Sequence, residues 1–150
     1  MTGMNVDWSK LTACYGSASA ADVPKAIEAL FSGSETERRQ AYWKIDNYVV
    51  VQGGLFESAP YAARLLVDHI QNDPDKLNRE VLDLLFELAN GNAGGETVEH
   101  GPLKGQPIQK LCRDTVAEVL PVLEAARVGA SEREQATIQA IMVVYEKGRT

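Results

Sequence analysis

DVPKAIEALFSGSETERRQAYWKI, residues 22–45, holds two helix-forming runs separated by a very short turn. Pro24 falls in the first turn of the first run. Its missing N–H does no harm there, because the opening N–H groups of a helix have no partner inside it. Val23, Ile27, Leu30 and Phe31 follow at helical spacing, and Ser32-Gly33 ends the run. Ser34 stands three residues before Glu37, the pattern in which each side chain bonds the other's backbone N–H at a helix start. Ala41, Ile45, Tyr48 and Val49 share one face of the second run, which ends near VQGG, with Gly53-Gly54 as a left-handed stop. The stretch predicts a helical hairpin.

Working outward, DWSKLTACYG at residues 7–16 predicts a short opening helix. Asp7 is its N-cap and Gly16 its stop, with Trp8, Leu11 and Tyr15 on one face. Downstream, residues 56–71 predict a helix with Pro60 near its start and Leu65, Leu66 and Ile70 facing inward. NDPD makes a turn. A further helix over 76–89 carries Leu77, Val81, Leu84, Leu85 and Leu88 as one stripe. Leu82, Phe86 and Ala89 add a second apolar side, as expected of a helix sandwiched between neighbours. Residues 91–107 are rich in Gly and Pro, lack periodicity and read as a long loop. A helical run from Ile108 contains Pro121, which breaks or kinks it. Ser131 and Glu134 repeat the capping pattern ahead of a last helix presenting Ile138, Ile141, Met142 and Tyr145.

Three hairpins thus stand in a row. Pro24, Pro60 and Pro121 mark the first helices. Arg38, Arg79 and Arg133 mark the first turn of the second helices, each followed three residues on by Ala41, Leu82 or Ala136. One hairpin alone cannot bury its apolar face, and repeated pairs of short helices predict an all-α chain built as an α-solenoid of about three hairpins after an N-terminal cap helix, one domain over residues 1–150. An irregular helical bundle is the competing arrangement. The alternation that a strand-rich fold needs is missing, and VVVQG at 49–53 is too short to anchor a sheet.

The net charge of −6 is unevenly placed. Residues 68–99 carry eight acids and two bases, net −6, while the flanking segments nearly cancel. Nucleic-acid binding needs a basic footprint, so this balance argues against it and suits a basic protein partner. A solvated acidic face is the plainer reading of the same charge. No stretch approaches the ~20 apolar residues of a membrane span, and MTGMNVDWSK lacks the pattern of a secretion signal, so the expected location is cytoplasmic. Cys14 and Cys112 lack CxxC spacing, and His69 and His100 are isolated in sequence. That pattern predicts reduced thiols and no structural metal.

Chemical motifs are scarce. GNAGGE has neither the Lys-Ser/Thr of a phosphate loop nor a preceding strand. No GxSxG occurs. Glu80, Asp83, Glu87 and Asn90 recur on one helix face, opposite the Leu77–Leu88 stripe. General acid–base work needs such carboxylates desolvated in a pocket, so on an exposed stripe they read as a binding face or a plain surface, the binding face being favoured because two-sided burial leaves this stripe as the helix's outlet. Trp43 is either an exposed anchor for a partner or a side chain packed on the next hairpin.

ERRQAYWKI, NREVLDLLFEL and SEREQATIQAI as second helices, with VLPVLEA as a kinked first helix, resemble HEAT-like repeats. Tyr15-Gly16-Ser17-Ala18, Asp22-Val23-Pro24 and the step from Gln52-Gly53 to Ala59-Pro60 are similar to short bacterial HEAT-like proteins. The resemblance spans nearly the whole chain and departs most in the third unit. It implies binding of another macromolecule, with no catalytic residue and no cofactor, and some small acidic proteins of this type look like immunity proteins that neutralise a toxin. The expected contact surface is Asp46, Glu80, Asp83 and Glu87 with loop residues Glu96, Glu99 and His100. Acidic charge would steer a basic toxin. An intracellular adaptor is the alternative, and a cofactor lyase a more distant one.

Overall fold

A computed structural model describes residues 6–11, 20–51 and 54–147. These residues form seven α-helices and are all-α apart from one two-residue ladder and two isolated β-bridges, Gly54 with Asn92 and Thr97 with Pro107. The helices are α1 (Val23–Ser32), α2 (Glu35–Val49), α3 (Ser58–Asn72), α4 (Arg79–Asn90), α5 (Ile108–Ala117), α6 (Leu120–Ala126) and α7 (Glu132–Lys147). Among the described residues, no helix is long and apolar enough to cross a membrane.

The opening hairpin forms as its residues dictate. Val23 and Pro24 lead α1, and Asp22 precedes them without a side-chain cap bond. The Ser34–Glu37 box is complete: Ser34 N–H donates to Glu37 Oε1 at 2.8 Å, and Glu37 N–H donates to Ser34 Oγ at 3.2 Å. Gly33 fits the turn because a Cβ there would stand 2.8 Å from the carbonyl of Ala29 and 2.9 Å from Glu37 Cβ. Ser131 and Glu134 exchange the same pair of bonds ahead of α7.

Three boundaries differ from expectation. Asp7 does cap the opening turn, but the helical part is a 3₁₀ turn over Trp8–Lys10, and Leu11 is already extended. Gly16, with Cys14 and Tyr15, lies outside the described residues. The second helix ends at Val49 with extended Val50 as its cap, and the chain enters a ladder of β1 (Val50–Val51) and β2 (Gly54–Leu55). The β-branched pair Val49-Val50 thus replaces the glycine stop, and Gln52-Gly53 falls outside the described residues. A 3₁₀ turn over Pro74–Lys76 precedes α4, which starts only at Arg79 because Asn78 caps it by accepting from Val81 N–H at 3.0 Å. Pro121 breaks the third unit's first helix into α5 and α6, as its missing N–H requires.

The core joins these elements pairwise. Helix α1 packs on α2 and α3, α3 on α5, α2 on α4, and α4 on α5 and α7. Helices α1, α3 and α5 therefore contact in succession, as do α2, α4 and α7. Helix α4 sits among α2, α3, α5 and α7, and buries Val81, Leu84, Leu85 and Leu88 on one side with Leu82 and Ala89 on the other. The two-sided apolar pattern has the expected cause. Asn78 also links units, since its side-chain amide donates to the carbonyl of Leu30 at 2.9 Å.

Candidate functional site

Helical spacing puts Glu80, Asp83 and Glu87 on one face of α4. That face meets α2 and α7 and is not an open stripe. Glu80 is only 6 % exposed and accepts from Arg38 Nε at 3.4 Å, while the same guanidinium holds the carbonyl of Gly33 at 3.1 Å. Asp83 accepts from Arg133 Nη2 at 3.1 Å and from Thr137 Oγ1 at 3.5 Å. Glu87 accepts from the Tyr42 hydroxyl and is hydrogen-bonded to the half-buried carboxyl of Asp46. The expectation of a solvent-facing stripe is corrected: α4 is covered on a third side, and of Glu80, Asp83, Glu87 and Asn90 only Asn90, at its end, is exposed. Two of the three repeated arginines, Arg38 and Arg133, are the cross-helix partners that neutralise this seam.

Two carboxyl groups can hydrogen-bond only if one carries a proton. Burial, then the Asp46 carboxyl, pushes Glu87 up to about 8, against the opposing hydrogen bond from Tyr42. Burial, then Glu87, likewise holds the Tyr42 phenol protonated. At neutral pH the Asp46–Glu87 pair therefore retains a proton, and the seam carries less negative charge than its residue count implies.

The second group lies in the 91–107 loop, which is built and not slack. Val98 is buried. Its N–H donates to the carbonyl of Gln106 at 2.9 Å, and its own carbonyl accepts from Gly105 at 2.8 Å. Leu55 N–H reaches the carbonyl of Asn92 at 2.9 Å. Two side chains at the head of α3 pin the tip. The Tyr61 hydroxyl donates to the carbonyl of His100 at 2.9 Å and accepts from Leu103 N–H at 3.0 Å. Glu57, 4 % exposed, accepts from Glu99 N–H at 2.9 Å through Oε2 and lies 2.8 Å from His100 Nδ1 through Oε1. Gly101, at φ +87°, makes the turn in the left-handed region, and a Cβ there would meet the Tyr61 hydroxyl at 2.5 Å. Glu96, Glu99 and His100 are exposed.

The seven residues singled out from sequence thus fall into two groups. Asp46, Glu80, Asp83 and Glu87 line the interhelical seam, and Glu96, Glu99 and His100 sit on the loop. Glu80 stands about 15 Å along α4 from the loop's beginning, at 1.5 Å per residue. Sequence reasoning missed Glu57 and Tyr61, and gave Tyr42 no bond to another helix. Each acts across 39 or more residues of chain, and none carries a local spacing signal.

Trp43 is 54 % exposed, which corrects the reading of it as packed on the next hairpin. It stands edge-on to Tyr42, with ring centroids 5.2 Å apart. With Arg39, Arg79, Asp83 and Arg133 the pair lines a notch of about 240 Å³. Cys112 is a free, buried thiol that burial keeps protonated, so it is no ready nucleophile. Comparison of the chain with protein-family models, with curated proteins and with solved structures finds no match.

Proposed function

We propose that this chain is a non-enzymatic protein-binding module, a short HEAT-like α-solenoid that binds a basic toxin or effector domain in the cytoplasm and neutralises it as an immunity protein. The observation that carries the binding reading is the notch around Trp43. Trp, Tyr and Arg are the residue types that dominate binding energy at protein interfaces, and here they converge on one exposed spot. The pairwise stacking of first helices and of second helices supports the repeat reading.

The charge of the partner follows from the acids that remain accessible. Glu96 and Glu99 are exposed, whereas Asp83 pairs with Arg133 and the Asp46–Glu87 pair shares a proton, so the loop acids carry the accessible charge. Glu80 is engaged by Arg38 and contributes little to the outer field. Trp43 would anchor the partner, and the loop acids with His100 would steer it and set the register.

The test is capture from native host lysate at low and high salt, run in parallel with Trp43→Ala and with a Glu96→Lys, Glu99→Lys double variant. One dominant basic partner is expected, retained at high salt, lost with Trp43→Ala and captured more slowly by the double variant. Its toxic activity, assayed separately, must be blocked by the intact chain and not by Trp43→Ala. A set of salt-labile partners of mixed charge, with no inhibition, would replace the immunity reading with that of an adaptor.

A further inference from the structure

We infer that Glu57, Glu99 and His100 form a binding site for a divalent transition-metal ion of the zinc type, which clasps the 91–107 loop to the head of α3. One ligand atom from each residue lies within 4.8 Å of the other two. The ligands of a tetrahedral zinc ion, bound at about 2.0–2.2 Å, stand roughly 3.3 Å apart. Glu57 Oε1 and His100 Nδ1, at 2.8 Å, are close to that spacing already. Glu99 is an exposed side chain free to rotate inward.

Three features distinguish this trio from a chance surface cluster. The donor set mixes an imidazole with two carboxylates, the combination that suits zinc and its neighbours in the first transition row. Glu57 is buried and pre-oriented: the Glu99 N–H holds Oε2, which turns Oε1 toward His100. Finally, Glu57 and Glu99 line one cavity of about 480 Å³ next to His100, which gives a hydrated cation room to enter. His100 then exchanges its hydrogen bond with Glu57 for a metal bond, which requires its Nδ1 to be unprotonated. Three protein ligands leave the fourth position to water or to a group from a partner. The site shares Glu99 and His100 with the proposed contact surface, but its test reads metal binding by this chain alone, so the two readings fail separately.

The experiment is titration of the full chain with Zn²⁺ by calorimetry and with Co²⁺ by absorption, alongside His100→Ala and Glu99→Gln. Both substituted side chains are exposed, and the main-chain bonds of the loop survive their loss, so circular dichroism should match the parent. Saturable one-to-one binding is expected, weakened by at least about tenfold in each variant, with a rise in thermal midpoint for the parent alone. The Co²⁺ spectrum should lack a sulfur-to-metal charge-transfer band. Absence of saturable binding, equal affinity in parent and variants, or a sulfur band would overturn the site. In those cases the His100–Glu57 contact is only a hydrogen bond that pins the loop.

Discussion

At the residue scale, two groups hold energy that their neighbours alone explain. Glu87 binds its proton more tightly in the folded chain, near 8, than in the unfolded chain, near 4.5. Unfolding therefore releases a proton between those values, and stability falls as pH rises through the window, levelling off above it. Glu87→Gln keeps a neutral side chain that can accept from Tyr42 and donate to Asp46. Thermal melts from about pH 5 to about pH 8.5 should show the parent losing stability with pH and the variant flatter, with its midpoint higher at the alkaline end by about 2–4 °C for each kcal/mol recovered. An equal pH slope in both proteins would remove the shared proton from the account. Gly101 is the second group. Gly101→Ala places a Cβ against the Tyr61 hydroxyl at a φ that L-residues rarely adopt. A loss of about 1–3 kcal/mol is expected in denaturant melts, with faster hydrogen exchange at Leu103 N–H as the pin loosens.

At the element scale, helix starts are the most locally determined features of the chain. Ser34 and Ser131 both close reciprocal capping boxes, and Ser34→Ala should cost about 1 kcal/mol. Asn78 does more than cap. Its carbonyl oxygen holds Val81 N–H while its amide holds the end of α1. Asn78→Ala should therefore cost more than Ser34→Ala, by the additional ~0.5–1.5 kcal/mol of a hydrogen bond. Equal losses in paired urea titrations would mean that the Leu30 link contributes nothing. Both boxes were legible from Ser and Glu three apart. The ends were harder to read. The second helix stops before its glycines because Val50 begins a ladder with Leu55, a pairing set by the chain that follows.

At the scale of the whole molecule, α4 is the hub. It contacts α2, α3, α5 and α7, so the helices are expected to unfold together. Leu84 is fully buried on α4, and Leu84→Ala should cost about 2–5 kcal/mol. Far-UV and near-UV melts should coincide in parent and variant alike. A separate early transition of α1 and α2 would show that the first hairpin folds on its own. Covering α4 also decides what the acidic segment can do. An eight-acid stretch reads as a charged surface, yet two of its members sit in ion pairs across helices and a third shares a proton.

The sequence by itself determined the helix class, the capping boxes ahead of α2 and α7 and the two-sided burial of α4, because 3.6-residue periodicity and capping chemistry act within a few residues. It also marked the 91–107 segment as a long irregular connection. Only the tertiary structure decided that Glu80 is buried against Arg38, that Trp43 is exposed, and that Glu57 meets Glu99 and His100. Those outcomes depend on which helix faces which across some 40 residues of chain. Side-chain spacing along one helix carries no information about the charges on its neighbour.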